Sequence, residues 1–152
     1  MDWTLFPIFL AACGAAASTG VLFRPGDWYA GLDKPGWTPP NRLFPVAWTI
    51  LYVLLAFAAA RVAGRSDAGL ALALWSLQIA LNTLWTPVFF GLHRMRAALV
   101  VILCLLVTAV ALGAALGTLD RLAGYAVIPY VAWLAYAAAL NASVLRRNPQ
   151  PR

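Results

Sequence analysis

Five long stretches of the chain are continuously apolar, and short polar segments separate them. Each has about the 20 residues that an α-helix needs to cross the hydrocarbon layer of a bilayer. The stretches are rich in Ala and Leu, whereas the strands of a membrane β-barrel alternate apolar and polar residues over about ten positions. The pattern predicts an all-α integral membrane protein, a single domain over 1–152 with five transmembrane helices at approximately 4–23, 44–63, 69–90, 97–116 and 122–145.

The segment after the first apolar stretch has a different composition. Residues 24–52 hold five of the ten prolines and three of the seven tryptophans. Because proline inside a helix removes a backbone donor and clashes with the preceding turn, residues 24–43 are predicted to form a shaped loop, called the first loop below. It carries Trp28, Tyr29 and Trp37, large apolar surfaces that a solvated linker does not keep. We therefore expect it to pack on the bundle as a lid.

Composition supports the membrane assignment. Hydrophobic residues make up 63% of the chain and charged residues 11%, against roughly 45–50% and about 25% in soluble domains. The net charge of +6 lies beside apolar stretches, which favours anionic lipid headgroups over nucleic acid as its partner. Cys13 and Cys104 lack the spacing of a disulfide framework or a zinc site, and both are predicted to be buried as small hydrophobic residues.

The basic residues predict the orientation. Three arginines lie on the side of the N-terminus and eight basic residues lie on the other side, with the first loop and the C-terminal tail. By the positive-inside rule, the first loop and the C-terminus are expected to face the cytoplasm.

Ionisable groups avoid the apolar stretches. All five aspartates lie in loops or at an end of the chain, and His93 is the single histidine. Ion-coupled transport usually places an ionisable residue at membrane depth, and conventional catalysis needs acid, base or metal groups. The sequence therefore disfavours both, and we expect that no cofactor is required.

Aromatic and amide residues recur at helical spacing in three of the five stretches. One interpretation is ordinary helix packing and interfacial belts. The alternative is a pocket, because indole N–H groups and amides in hydrocarbon need hydrogen-bond partners, and flat rings with a few amides suit a large, planar, mostly apolar ligand. The recurring residues are Phe44, Trp48 and Tyr52, then Trp75, Gln78, Asn82, Trp85 and Phe89, then Trp133, Ala137, Leu140 and Asn141.

Several motifs in this order resemble the signature of the translocator protein family, also known as tryptophan-rich sensory proteins or peripheral benzodiazepine receptors. The resemblance covers nearly the whole chain. The motifs are Trp28-Tyr29-x-x-Leu32-x-Lys34-Pro35-x-Trp37-x-Pro39-Pro40, Phe44 with Trp48 and Tyr52, Ala80-Leu81-Asn82-x-x-Trp85-x-Pro87-x-Phe89-Phe90, Pro129-Tyr130-x-x-Trp133 and Leu140-Asn141.

The resemblance implies a five-helix bundle in a bacterial cell membrane, homodimeric, with a ligand cavity closed by the first loop. Its ligands would be tetrapyrroles such as protoporphyrin IX; animal members also bind cholesterol and synthetic isoquinoline carboxamides. We expect Trp37 to cap the entrance, and Lys34 and Arg42 to meet propionates. The full set of expected ligand-binding residues is Trp28, Tyr29, Lys34, Trp37, Phe44, Trp48, Tyr52, Gln78, Asn82, Trp85, Phe89, Phe90, Trp133, Ala137, Leu140 and Asn141.

Three functions stay open on this basis. The first is binding, regulation or transport of tetrapyrroles, and the second is their light-dependent oxidative breakdown, for which the resemblance implicates Trp48 and Trp133. The third is a structural membrane subunit without a ligand. The sterol motif of animal members is incomplete, because Leu140 and Arg146 are present but Ala142 replaces its tyrosine. This substitution puts sterol binding in doubt.

Overall fold

A computed structural model describes residues 3–149, and within that range the protein is all-helical, as predicted, with no β-strand. A π-helical turn, Pro87–Gly91, continues α4. The six α-helices are α1 (Phe6–Leu22), α2 (Asp27–Ala30), α3 (Leu43–Val62), α4 (Gly69–Thr86), α5 (Met95–Leu119) and α6 (Arg121–Arg147).

Three helices, α3, α5 and α6, are long and apolar enough to cross a membrane. The apolar helix α1 is shorter, at 17 residues. Helix α4 carries the buried amides Gln78 and Asn82, which lower its mean hydropathy. Apolar helices of this length agree with an integral membrane protein.

The helices form an up-and-down bundle with two distinct ends. Helix α6 packs against α5 and α3, while α4 packs against α5 and α1. We call the end that carries the first loop, the start of α5 and the end of α6 the loop end. The far end carries the turns from α3 to α4 and from α5 to α6.

Two hydrophobic clusters fill the bundle. The larger cluster occupies its centre and far half, where the fully buried Ala56, Ala58 and Ala59 of α3 let neighbouring helices approach closely. The smaller cluster lies at the loop end and is built around Tyr29, Phe89, Met95, Ala98, Leu140 and Val144. Trp85 packs against both clusters and therefore joins them.

Helices α5 and α6 come closest at the far end. A Cβ atom on Gly124 would lie 2.7 Å from the Cα of Gly117 and 3.3 Å from the carbonyl oxygen of Gly113. No side chain fits at such a distance, so glycine is required at position 124. The two α5 glycines therefore serve packing inside the chain.

An ion pair fastens the same end. Arg61, at the end of α3, donates three hydrogen bonds to the Asp120 carboxylate, the shortest 2.6 Å long. Asp120 also caps α6 by accepting a hydrogen bond from the Ala123 backbone N–H at 2.9 Å. The Arg61 guanidinium lowers the pKa of Asp120 from 3.8 to about 2, so this carboxylate is ionised at neutral pH.

The two cysteines differ from one another. Cys13 is buried in the larger cluster, as predicted, but Cys104 is exposed on the outer face of α5. The prediction for Cys104 was wrong because an apolar stretch in a membrane helix has a lipid-facing side as well as a buried one, and hydropathy does not distinguish them.

Candidate ligand-binding site

The first loop packs on the loop end through aromatic rings. Helix α2 places Trp28 against Phe89 and stacks it on His93, with ring centroids 5.7 and 4.1 Å apart. It buries Tyr29, whose ring meets the edges of Phe89 and Phe90. Burial raises the pKa of the Tyr29 hydroxyl above 10.0, so this group stays neutral. The loop-end cluster is thus built by α2 together with the π-helical turn.

The side chain of Lys34 caps the C-terminal end of helix α2. Its ammonium donates to the carbonyl oxygens of Tyr29, Ala30 and Leu32 at 2.7, 3.2 and 3.0 Å. A lysine ammonium has three donors, so these carbonyl groups use all of them. Lys34 can meet a ligand carboxylate only by exchanging one of these bonds, whereas Arg42 is exposed at the start of α3.

Four polar contacts tie the first loop to α6. The Asp33 backbone N–H donates to Asn148 Oδ1 at 3.0 Å, and Asn148 Nδ2 donates to the Asp33 carbonyl at 2.9 Å. Arg147 pairs with the Asp33 carboxylate at 3.4 Å. Nearer the bundle centre, the Tyr136 hydroxyl donates to the Trp37 carbonyl at 2.7 Å, and the two rings meet edge to face. These contacts hold the loop over the end of α6.

Below the loop, two aromatic pairs join α3 to α6. The rings of Phe44 and Trp133 meet edge to face with centroids 5.9 Å apart, and those of Trp48 and Tyr130 do so at 6.2 Å. Phe44 and Trp48 are four residues apart, and Tyr130 and Trp133 three, so each helix presents its two rings on one face. Trp48 also lies 5.3 Å from the ring of Tyr52.

The amides of the candidate site bind other helices. Asn82 donates to the Tyr52 hydroxyl at 3.2 Å, and the Tyr130 hydroxyl donates to Gln78 Oε1 at 2.9 Å. Asn141 donates to the Met95 carbonyl at 3.1 Å. These contacts agree with the interpretation of ordinary helix packing. In the described part of the chain, the Gln78 Nε2 group is buried without a hydrogen-bond partner.

The four tryptophans of the long helices fall into two kinds. The indole N–H of Trp75 donates to the Leu55 carbonyl at 3.0 Å, and that of Trp85 donates to Asn141 Oδ1 at 3.4 Å. Within residues 3–149, the indole N–H groups of Trp48 and Trp133 make no hydrogen bond, and both rings are partly exposed. Only this second pair has donors available to a ligand.

A groove of about 510 Å³ follows the outer side of the same contact between α3 and α6. This volume lies within the range of roughly 300–1,000 Å³ that is usual for ligand pockets. We call it the α3/α6 groove; it is lined by Pro39, Leu43, Ala47, Ile50, Leu51, Pro129, Ala132, Trp133 and Tyr136.

A second groove, of about 410 Å³, lies between α5 and α6 at the far end. It is lined by the three glycines of the close helix contact, by branched aliphatic residues, by Arg121, and by Tyr125 as its only aromatic lining residue in the described range. A planar aromatic ligand gains more from ring contacts than from glycine backbone, so we place the candidate site at the α3/α6 contact.

The structure divides the expected site residues into two groups. The interior group packs in the larger cluster, whereas the other residues belong to the loop end. Leu140 is buried in the loop-end cluster and Arg146 is exposed, so these two remnants of a sterol motif lie in different environments. The interior group contains Trp48, Tyr52, Gln78, Asn82, Trp133 and Ala137; the loop-end group contains Trp28, Tyr29, Lys34, Trp37, Phe44, Phe89, Phe90 and Leu140; Asn141 and Trp85 connect them.

Two residues of the site were missed in the set expected from sequence. Tyr130 is fully buried, contacts Trp48 and binds Gln78. Tyr136 lines the groove and holds the first loop. Both lie three residues from Trp133, so the helical spacing that singled out Trp133 was a signal for them as well.

Comparison with known proteins gives consistent matches over almost the whole chain. The model of the TspO/MBR family matches residues 4–147. A tryptophan-rich sensory protein of Cereibacter sphaeroides is 49% identical over 97% of this chain and 94% of its own length, and the protein CrtK of Rhodobacter capsulatus is 48% identical over 98% and 96%. The human translocator protein is 36% identical over 97% of this chain and 89% of its own.

Proposed function

This chain belongs to the TspO/MBR family, and from that premise we propose that it is a membrane receptor for tetrapyrroles such as protoporphyrin IX and similar planar apolar ligands. Its role would be to regulate tetrapyrroles or to move them within the membrane. The family and the apolar helices already make it an integral membrane protein. The names of its relatives agree with a receptor role.

One observation carries the proposal. Trp48 and Trp133 join α3 to α6 through the aromatic pairs and keep their indole N–H groups free, and Trp133 also lines a groove of about 510 Å³. A planar ligand held between these two tryptophans, on the inner side of the α3/α6 contact, would have ring faces to stack on and two donors for its polar edges. Ring stacking contributes about 0.5–1.5 kcal/mol beyond area burial.

We further propose that five helices span the membrane. Helix α1, with 17 residues, reaches the lower limit of roughly 17–25 residues for a span. Helix α4 has 18 residues, and the five residues of its π-helical turn lengthen it further. Asn82 and the Gln78 carbonyl of α4 bind other helices, which lowers the cost of placing these amides in hydrocarbon. The first loop, fastened to α6, would act as the lid of the site.

The orientation proposal follows from the basic residues. Among residues 3–149, three arginines lie at the far end and seven basic residues at the loop end, so the loop end should face the cytoplasm. A reporter fused after Arg152 is expected to be active in the cytoplasm, and one fused before Met1 on the opposite side. The reverse pattern would refute this orientation.

We also propose a homodimer. The glycines of α5 are used inside the chain, but Gly14, Ala15, Ala17 and Ser18 of α1 are exposed, and a Cβ on Gly14 would meet nothing within 4 Å. Small residues let two membrane helices approach closely. Gly14→Leu should convert a dimer to a monomer in light scattering of the purified protein. An unchanged dimer would place the interface elsewhere.

Binding of protoporphyrin IX tests the main proposal. Tryptophan fluorescence of the purified protein should be quenched saturably in the dark, with one site per chain, because the ligand would lie against Trp48 and Trp133. A protein of the same size from another family, in the same detergent, controls for partition into micelles. Quenching that does not saturate, or that matches the control, would favour a structural subunit without a ligand.

A second candidate function is the light-dependent oxidative breakdown of the bound tetrapyrrole by dioxygen. The observation that favours it is the contact of Trp48 with two further oxidisable rings. The ring centroids of Tyr52 and Tyr130 lie 5.3 and 6.2 Å from that of Trp48. Illumination of the complex in air should then give a new absorbing product. The Phe variants of Trp48 and Trp133 should abolish that product while they leave binding nearly intact. A product that forms equally without protein would exclude this function.

A further inference from the structure

The α3/α6 groove opens on the outer surface of the bundle. Its rim carries Leu43 and Ile50, which are 46% and 56% exposed. In an integral membrane protein, apolar side chains with this exposure face lipid rather than water. The groove is therefore open to the bilayer along the outer surface of α3.

The inner side of the same helix contact is closed by the aromatic pairs. Trp133 belongs to both sides, because it lines the groove and also contacts Phe44 and packs against the larger interior cluster. Next to it, the groove walls are Ala47 and Ala132, which offer little obstruction. Displacement of the Trp133 ring from Phe44 would join the groove to the interior.

Helix α6 is weakened at this position. Pro129 lies inside α6 and lines the groove. Proline has no N–H to donate to the carbonyl four residues before it, and its ring clashes with that turn, so helices bend most easily there. The part of α6 that carries Trp133 and Tyr136 can thus tilt about Pro129.

The aqueous route past the first loop is more firmly closed. Asn148 and Asp33 exchange two hydrogen bonds of 3.0 and 2.9 Å, and Tyr136 binds the Trp37 carbonyl. A ligand on this route would have to pass charged loop residues. It would also have to leave the bilayer, where its apolar surface is stabilised.

We propose that planar apolar ligands enter and leave the site from the bilayer, through the α3/α6 groove, with the Phe44–Trp133 pair as the gate. This inference rests on the proposed function, since it describes the route to that site. The groove is then the surface through which membrane-dissolved ligands pass, and the first loop covers the site without opening for ligand exchange.

Stopped-flow quenching by protoporphyrin IX in lipid nanodiscs tests the route. Ala132→Phe and Ala47→Phe narrow the groove from its two walls. Each should slow association and dissociation by at least about tenfold, a barrier increase of about 1.4 kcal/mol, while the ratio of the two rates stays constant. Ala111→Phe is the matched control, since Ala111 is exposed midway along α5 and outside the groove. Asn148→Ala removes two of the four contacts that hold the first loop and should leave both rates unchanged.

The outcomes separate the route from the function. Slow rates in both groove variants, with normal rates in the Ala111 and Asn148 variants and unchanged melting temperatures, support the proposal. Normal rates in both groove variants overturn it, as does acceleration by Asn148→Ala alone. Absence of saturable binding in the wild-type protein overturns the proposed function, and the route with it.

Discussion

At the far end of the bundle, α5 and α6 approach backbone to backbone at Gly117 and Gly124, and three hydrogen bonds join Arg61 to Asp120. At the loop end, aromatic rings separate the first loop from the π-helical turn, with ring centroids 5.3–6.3 Å apart. Close backbone packing leaves no space for a ligand, whereas rings can separate and accept another ring between them. The difference indicates that the far end supplies stability, whereas the ring contacts between the bundle centre and the loop end supply binding.

The largest expected effect is at the far end. Gly124→Ala places a Cβ 2.7 Å from the Gly117 Cα, and the forced separation of α5 and α6 should lower the free energy of unfolding by about 1–3 kcal/mol. Thermal melting in detergent measures it. Gly20→Ala is the control, because a Cβ at Gly20 meets nothing within 4 Å; it should stabilise α1 by up to about 1 kcal/mol. Equal melting temperatures for the two variants would contradict the close packing.

A smaller loss is expected at Asp120. Asp120→Ala removes the cap of α6, worth about 0.5–2 kcal/mol, and an ion pair that is partly exposed and worth less than about 1 kcal/mol. Asp120→Asn keeps a capping group and loses only the charge, so its effect should be smaller. If Asn were as destabilising as Ala, the ion pair rather than the cap would dominate.

The same residue predicts a pH dependence. The pKa of Asp120 falls from 3.8 to about 2 on folding, so its stabilising contribution is complete above pH 3.8 and is lost as the pH falls towards 2. The wild-type protein should therefore lose more stability than Asp120→Asn between pH 4 and 2, as measured by melting at each pH. If the two variants lost stability in parallel as the pH falls, Arg61 would not lower the pKa of Asp120.

At the loop end, we expect changes in ligand exchange and little change in stability. Trp37 is 48% exposed and its ring contacts Tyr136 on the groove. Trp37→Ala frees the Tyr136 ring in the groove wall, since it removes an edge-to-face pair worth about 0.5–1.5 kcal/mol, and should therefore speed the release of protoporphyrin IX through the groove by a few-fold. A stopped-flow displacement measures the release. Unchanged release together with a large drop in melting temperature would give this loop a structural role instead.

Much of the fold followed from the sequence, and the reason is physical. A helix in hydrocarbon must be long and apolar, so the stretches that form α3, α5 and α6 were visible as hydropathy alone. The Arg61–Asp120 contact was not, because the residues are 59 positions apart and lie at the ends of different helices. Nor does a G-x-x-x-G pattern show whether its partner is the same chain; Gly113 and Gly117 turned out to pack on Gly124.

The candidate site was predictable in composition and less so in arrangement. Trp48 and Trp75 have the same residue type and similar apolar neighbours in sequence. They differ because the Leu55 carbonyl lies opposite the indole of Trp75, which is a property of the folded bundle. Lys34 was expected to meet a ligand, but a turn of helix just before it supplies three carbonyl acceptors. Such local competition for hydrogen bonds is decided by backbone geometry.

The central claim is that Trp48 and Trp133 bind the ligand, whereas Trp75 stabilises the fold. Single Trp→Phe variants at positions 48, 75, 85 and 133 test it when affinity and melting temperature are measured for each. Phe at position 48 or 133 should weaken protoporphyrin IX binding by a few-fold, through loss of one donor worth about 0.5–1.5 kcal/mol, without lowering the melting temperature. Phe at position 75 leaves the buried Leu55 carbonyl without its indole donor and should lower the melting temperature while affinity stays unchanged. Phe at position 85 should have the same effect, but a weaker one. Unchanged affinity at positions 48 and 133 with lost affinity at position 75 would contradict the account.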